Sequence, residues 1–582
     1  MPKLKKHIPG LIVLTLIALA SFAVIAQIAF FRSWPDCHDE LRYIYVFDLF
    51  KDSFKEGIMY PRWLPGVYGG YGSPLFVFYQ PGFFYVALFF SFLFGNALTI
   101  MYWTIFSFIF LGGLGSYFLT RKITDSRITG LFCALLFLLT PYLYVNLYVR
   151  GDLSELAAML LCPWPFYFLL RLKDKIVKKE KIGPSIALLG ISTSAIIFCH
   201  PAVTLFFMPT FCLIAVYLLF SINKKKRVKY LLGFAAGVFL GLTISSPYWV
   251  TAFSMKRYSH HERATTAYFS AEKHVVHFRQ FFLRKWGFGE SGKNKDDMSF
   301  QLGLIHFIIS LAGFILMRQN RFIQACFGCY ILLILSMTPL SSLLWEYIPI
   351  IRYAQFPWRI LSVTATLQCV CATGLIKMAD KNPKRNLIQT CVFAGIIACC
   401  IIWNKEQFAP MTFSNKTAEA LIEKHREVRS KRFYVYQVSN EMMPKTARMP
   451  IPKPRENTPL IQVSSSNCSI EKQPDCTPDF IHFEISATKP MKVLINQLYF
   501  PGQQIILNGI PFTREQKEKY ITQDGRTFID IPAGENQELT VFYEGPPGWK
   551  IRNILIGIIL IAYILFIYLE NKKISDESIA DG

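Results

Sequence analysis

Three carboxylates fall within five residues at Asp36-Cys37-His38-Asp39-Glu40, followed by Leu41 and Arg42. They come directly after a long apolar segment, Ile8 to Phe31, where the chain would leave a membrane. Acidic groups at such a surface are costly to desolvate and need a reason. They read either as a hydrated loop opening or as a carboxylate base or metal ligands facing a lipid phosphate. In the second case the hard oxygens of Asp36 and Asp39 suit Mg²⁺ or Mn²⁺.

Other stretches offer complementary chemistry. Arg150-Gly151-Asp152-Leu153-Ser154-Glu155 separates two apolar runs. It reads as a helix cap with an ion pair, or as a second acidic wall beside the first loop, where each charge shifts the other's titration. Tyr60-Pro61-Arg62-Trp63 and Gly69-Gly70-Tyr71-Gly72-Ser73-Pro74 crowd Gly, Pro and aromatics. Such a stretch is an interfacial aromatic belt or a close-fitting ligand loop. Arg352 and Arg359 flank Gln355-Phe356-Pro357-Trp358 at a helix entrance. There they snorkel or grip a diphosphate. His200, before Pro201, reads first as a turn residue. His260, His261, His274 and His277 lack zinc-ligand spacing.

Positioning these groups requires a membrane scaffold. The 582 residues are 52% hydrophobic and only 17% charged, and apolar runs recur that exceed the roughly 18 residues needed to span hydrocarbon. This excludes a single soluble core. The net charge of +23 comes largely from short Lys/Arg clusters between apolar runs, the pattern of cytoplasmic loops rather than a nucleic-acid stripe. No nucleic-acid partner is expected.

About twelve spanning helices are predicted, starting near Ile8, Ala97, Ile128, Glu155, Ile182, Ala202, Leu231, Gln301, Phe322, Ile360, Leu387 and Asn553. Ile8–Phe31 lacks a cleavage-site pattern and reads as a retained first helix. The run Leu75–Phe94 decides sidedness. Counted as a span, it places the basic clusters at 121–127, 171–181 and 224–229 opposite the basic N-terminus; left out, it places them all on one side. It is therefore predicted to lie at the interface. The outer loops become 32–96, 150–155, the turn at His200, 255–300, 341–358 and 405–550. Both termini are then cytoplasmic.

Composition shifts near Lys405. A helix is expected over Thr417–Arg432, then a β-sandwich from Pro478 to Glu544, with Asn508-Gly509 as a type I′ hairpin turn. The predicted organisation is 1–403 membrane domain with its acidic first loop at 32–96, 404–549 extracytoplasmic domain, and 550–582 last helix and tail. Cys468 and Cys476 are close enough in sequence for a local disulfide outside the cytoplasm. Cys326-x-x-Cys329 lies inside an apolar run and reads as membrane-helix packing.

HDELR, YPRW, GGYGSPLFVFYQP, YVRGDLSELA, KWGFGES…DDMSFQLG and QFPWR, in this order, resemble the bacterial membrane family catalogued as 6-pyruvoyl-tetrahydropterin synthase-related. The family architecture in turn resembles the GT-C glycosyltransferases, whose acidic motif follows helix one and whose donors are polyprenyl-phosphate sugars. The resemblance implies an inner-membrane enzyme that passes a sugar, with inversion, to an extracytoplasmic glycan, lipid or protein acceptor. It implies Asp39 as base, with Asp36 and Glu40 as competitors or metal ligands, and Asp152 and Glu155 as an acidic wall. Arg62, Arg150, Arg352, Arg359 and His200 would hold the donor phosphate. His38, Trp63, Tyr71, Tyr79 and Trp358 would contact sugar or acceptor. Many GT-C enzymes need no metal, so Mg²⁺ or Mn²⁺ stays open. A lipid or solute transporter and a non-catalytic scaffold of envelope assembly are the rival readings. A transporter predicts neither a large outer β-domain nor the absence of related halves.

Overall fold

The computed structural model describes all residues except 1, 32, 40–41, 290, 293–294, 379–382, 414–439, 448–458, 464–467 and 581–582. Glu40 and the helix expected over 417–432 lie outside the described residues. Each of the twelve predicted starts falls on or beside a helix: Pro2–Phe31, Ala97–Thr124, Arg127–Leu138, Leu153–Leu161 continued by Pro163–Val177, Gly183–Cys199, Pro201–Leu218, Lys224–Met255, Leu304–Leu316, Arg321–Ser336, Leu361–Ala372, Pro383–Trp403 and Trp549–Ala580. Among the described residues, seven helices are long and apolar enough to cross a membrane. Counting two bent pairs raises this to nine. Gly183–Cys199 and Leu304–Leu316 are apolar but shorter. Fewer helices than twelve therefore reach full crossing length.

The run 75–94 breaks into Leu75–Phe78 and Gly82–Ser91. Ten helical residues rise only ~15 Å, about half the hydrocarbon thickness. Gly82 lets this short helix press against the Phe198 carbonyl, which a Cβ would meet at 2.8 Å. Its Phe83 and Phe84 pack on the Tyr43 ring of helix Arg42–Lys55, with centroids 5.3 and 5.7 Å away.

The basic clusters meet at one end of the bundle. Lys122 pairs with Asp174 and Lys226 Nζ donates to the Val177 carbonyl. Glu570 of the last helix accepts the amides of Ile182 and Gly183 at 3.0 and 2.8 Å. The amide bonds fix the last helix against the start of Gly183–Cys199.

The C-terminal strands form two sheets. With β1 Ile461–Val463, β2 Cys468–Lys472, β3 Phe480–Ala487, β4 Met491–Leu498, β5 Gln503–Leu507, β6 Ile510–Pro511, β7 Arg526–Ile531 and β8 Gly534–Tyr543, the orders are β2-β3-β8-β5-β6 and β1-β4-β7, with all pairs antiparallel. Ile481, Phe483 and Ile485 of β3 alternate inward against Val493, Ile495, Ile529 and Val541, as a half-buried strand requires. Asn508 and Gly509 both take positive φ, 50° and 76°, the type I′ geometry that joins β5 to β6. The sandwich docks on the first loop: the Leu498 amide donates to the Tyr71 carbonyl at 2.7 Å, and Phe500 packs on Phe78.

The expected Cys468–Cys476 bridge is corrected here, since the two residues are separate thiols. Cys468 starts β2 opposite Ala487, while Cys476 sits in the turn beyond the other end of that strand. Four strand residues span ~13 Å, beyond the ~7 Å a disulfide tolerates between Cα atoms.

Candidate active site

The first loop is zipped to the Arg150–Asp152 turn. His38 and Asp39 donate their amides to the Val149 and Arg150 carbonyls, both at 2.9 Å. The segment on the other side of this contact is unusual. Helix Arg127–Leu138 breaks before Pro141, turns by 44°, and ends in a wide π-helical turn, Val145–Arg150. Gly151 then reverses the chain at φ 67°. A Cβ there would lie 2.3 Å from Cys37 Sγ, so only glycine allows both the turn and the approach of the first loop. Asp39 is thereby held beside Asp152.

Asp152 caps helix Leu153–Leu161: its Oδ1 accepts the Glu155 amide at 3.1 Å and the Tyr43 hydroxyl at 3.0 Å. Tyr43 in turn accepts the Ser154 amide at 3.0 Å and the Tyr79 hydroxyl at 3.2 Å. The other oxygen of Asp152 faces Arg150 Nη2 at 2.9 Å and Arg359 Nη2 at 3.6 Å. Glu155, fully buried, pairs with Arg150 Nη1 at 2.7 Å and Arg359 Nε at 3.0 Å. Its second oxygen accepts from Tyr142 at 2.6 Å and Ser362 at 3.0 Å. Two guanidiniums and two carboxylates thus neutralise one another in the interior, which is what makes their burial tolerable. Burial alone would raise the Asp152 carboxyl, but the surrounding cations and the Glu155 amide outweigh it and hold it below its ordinary range.

Asp39 differs. Its carboxylate is about one-third exposed, and its one ion pair among the described residues is a 3.7 Å contact with Arg42. Burial, then the nearby Asp152 charge, raises it against the pull of Arg42. A carboxylate so placed is more basic than an ordinary one.

His200 caps helix Pro201–Leu218, its Nδ1 accepting the Val203 amide at 3.3 Å. That leaves the ring proton on Nε2, 3.7 Å from Asp152. Burial, against the pull of Asp152 and Glu155, lowers this imidazole to about 4. The unfolded chain binds that proton near pH 6.5. Between pH 6.5 and 4 the unfolded state therefore holds more protons, and stability falls as the pH is lowered through that window, by about 3 kcal/mol in all. His200→Asn keeps a capping side chain and removes the titration. Its melting temperature is expected to fall less between pH 7 and pH 4.5 than that of the wild type. Equal falls would show that His200 is not the group responsible.

These groups line one cavity of about 450 Å³. Asp39, Arg42, Tyr79, Asp152, His200 and Arg359 line it with Lys256, His261, Gln355 and Glu441. Apolar side chains from three helices, among them Ile197, Leu205, Leu242, Trp249 and Phe253, line it as well. All six segments that charge parity puts on one side reach this cavity or its supporting cluster.

The other sequence candidates lie elsewhere. Arg150, Glu155 and Trp358 form the layer behind the wall, with the Arg150 guanidinium 4.5 Å from the Trp358 ring. Asp36 accepts from the Thr412 hydroxyl at 3.2 Å and does not line the cavity. His38 is exposed, with Nε2 2.7 Å from the Phe288 carbonyl oxygen. Tyr71 is buried against the Arg526 guanidinium. Arg352 turns back onto the carbonyls of Trp345 and Glu346, the end of a short helix that attracts cations. Arg62 and Trp63 line a different cavity. Sequence reasoning missed Arg42, Lys256, Gln355 and Glu441. Arg42 stood in the HDELR motif, and Lys256 was hidden among interfacial cations.

Asp152, Glu155 and His200 bring donor atoms within 4.8 Å of one another, the one such group among the described residues. Arg150 and Arg359 already hold both carboxylates of that group. A divalent ion would have to displace a guanidinium or share its ligands, so these residues do not fit one. Among the described residues Asp36 and Asp39, the pair expected to hold Mg²⁺ or Mn²⁺, are not part of a three-donor group.

Loosely similar folds occur among solved structures. The apo oligosaccharyltransferase of Archaeoglobus fulgidus superposes with a TM-score of 0.48 at 12% identity, over 75% of this chain and 60% of that one. Its complex with an inhibitory peptide and a dolichol-phosphate gives 0.45 at 12%, over 76% and 61%. The mycobacterial arabinofuranosyltransferase AftD gives 0.40 at 14%, over 70% and 27%. The chain thus spans about three-fifths of the oligosaccharyltransferase, and superpositions this loose assign no activity. No curated protein matches the chain. The profile of the 6-pyruvoyl-tetrahydropterin synthase related domain, described as a membrane protein, matches residues 76–410. That range is more than half of the chain and includes Arg150, Asp152, Glu155, His200, Lys256 and Arg359, while Asp39 and Arg42 precede it. The chain belongs to the 6-pyruvoyl-tetrahydropterin synthase related family of membrane proteins.

Proposed function

We propose that the protein is an integral-membrane glycosyltransferase that takes a sugar from a polyprenyl-phosphate donor and passes it to a hydroxyl acceptor, with inversion. The observation that carries this is the mixed lining of one cavity. Asp39 and the cations Arg42, Lys256 and Arg359 share it with the apolar side chains of Ile197, Leu205, Leu242 and Phe253. A ligand with a charged phosphate, a polar sugar and a hydrocarbon tail matches that lining. The resemblance of the family's architecture to GT-C enzymes supports the same class.

In this reading Asp39 accepts the proton of the acceptor hydroxyl while its oxygen attacks the anomeric carbon. The bond from that carbon to the phosphate oxygen breaks, and its electrons leave on polyprenyl phosphate. Arg359, Arg42 and Lys256 stabilise the charge that develops there. Asp152 and Glu155 serve as positioning residues that fix Arg359. The guanidiniums supply the charge compensation a metal would otherwise give. We place the β-sandwich and cavity on the extracytoplasmic face of a bacterial inner membrane, consistent with the basic loops at the opposite end.

The test offers purified protein in nanodiscs a panel of radiolabelled polyprenyl-phosphate sugars with envelope extract as acceptor. Release of polyprenyl phosphate is the expected result. Translocation of the intact donor without cleavage would instead favour a flippase, for which the same mixed lining would serve.

A further inference from the structure

Arg62, Trp63 and Tyr60 turn into a second cavity of about 470 Å³, closed by Pro247 of helix Lys224–Met255, Tyr543 of β8, and Trp549 and Ile556 of the last helix. Its walls present donors in excess of acceptors. Arg62 Nε, Trp63 Nε1 and the hydroxyls of Tyr60 and Tyr543 are buried without a hydrogen-bond partner, as are Nε and Nη2 of the adjacent Arg552. Arg62 is 8% exposed, and Arg552 lies on the helix face of Trp549 and Ile556, both in the cavity wall. Among the described residues neither has a carboxylate partner. The acids in the wall are engaged: Glu544 takes Lys550 and Gln504, and Asp479 accepts the Ser53 hydroxyl at 3.1 Å.

Stacking accounts for part of this. The Arg62 guanidinium lies 4.1 Å from the Tyr60 ring centroid and 5.8 Å from that of Trp549. That contact uses its π faces and leaves the N–H edge without an acceptor. Buried donors and like charges converging on one space call for an oxyanion, and the planar guanidinium fork matches phosphate. The cavity lies at the start of the last helix, whose apolar window Trp549–Glu570 contains no buried residue. That is headgroup level for a lipid whose chains run along the exposed helix.

We propose that this second cavity binds a phosphate group carried by an anionic lipid, held by Arg62 and Arg552 with the Tyr60, Trp63 and Tyr543 donors, apart from the Asp39 cavity. A phosphate monoester, as in phosphatidic acid, offers the matching acceptors. The bound lipid would clamp the β-sandwich, the first loop and the last helix together.

Native mass spectrometry of the full-length protein tests this, titrating short-chain phosphatidic acid against phosphatidylcholine. Wild type is expected to retain one phosphatidic acid at least tenfold more tightly than phosphatidylcholine. Arg552→Gln, at the half-buried partner, is expected to reduce that preference at least fivefold, and Arg62→Gln with Arg552→Gln to reduce it to whatever the Asp39 cavity alone retains. Arg359→Gln, in the other cavity, leaves it intact. Competition by millimolar inorganic phosphate would identify phosphate itself as sufficient; resistance to it would show that the lipid chains contribute. Wild type without preference for phosphatidic acid, or an Arg552→Gln protein that binds like wild type, would overturn the proposal.

Discussion

Asp39→Asn is expected to reduce release of polyprenyl phosphate by about 10²–10⁴-fold, the usual range for loss of a general base, with donor binding little changed. Asp39 is less committed than the two carboxylates beside it: Asp152 and Glu155 are each gripped by two arginines, whereas the one ion pair of Asp39 among the described residues is with Arg42, at 3.7 Å. Asparagine keeps its size and the backbone bond to Arg150 while removing the basic oxygen. The sign of the pH dependence follows. Burial raises the Asp39 carboxyl above its ordinary value, and only the deprotonated form accepts a proton. Activity therefore rises with pH through a limb displaced upward from the normal carboxylate range, and the residual activity of Asp39→Asn lacks that limb. A parallel loss of donor affinity would instead make Asp39 a binding residue, and an unchanged rate would remove it from the chemistry.

Glu155→Gln is the second large effect. Glu155 is fully buried and neutralises Arg150 and Arg359 together. Removing one member of a buried ion cluster typically costs about 3–5 kcal/mol, because it leaves uncompensated charge in the interior. A fall in thermal stability of that order is expected, together with weaker donor binding as Arg359 loses its anchor. Adding Arg150→Gln to Glu155→Gln should recover part of the stability, since the charges again balance. A change below about 0.5 kcal/mol, within the range of ordinary surface substitutions, would show that the four charges do not act as a cluster.

Much of this architecture is legible in the sequence because membranes impose simple constraints. Apolar runs mark the helices, and the run 75–94, which the Lys/Arg clusters at 121–127, 171–181 and 224–229 keep out of the predicted spans, folds as the short helices Leu75–Phe78 and Gly82–Ser91. Asn508-Gly509 is readable because few residue pairs tolerate two successive positive φ values. The association of Asp39 with Asp152 was anticipated from side and charge type, but the reason for it, the fit of Cys37 over Gly151, is tertiary and leaves no pattern in the chain. The arginines were the least readable. Arg62, Arg352 and Arg359 all look like interfacial cations that could hold phosphate. Only the folded chain sends Arg352 to the carbonyls of Trp345 and Glu346, Arg62 to the second cavity, and Arg359 to Asp152 and Glu155. Lys256 escaped notice because a lysine ending a long apolar helix is ordinary at a membrane surface. Gly183–Cys199 and Leu304–Leu316 are apolar but shorter than a full crossing, since hydropathy marks apolar sequence and not the residue at which a helix stops.

The central claim is that the cavity between Asp39 and the apolar helices holds a lipid-borne phosphate. A cryo-electron microscopy map of the wild-type protein in nanodiscs, saturated with polyprenyl phosphate, tests it most directly. The expected map shows the phosphate within hydrogen-bond distance of Arg359, beside Asp39, and the chain running along Leu205, Leu242 and Phe253. A clear map with this cavity empty, or with the lipid bound only elsewhere, would contradict it.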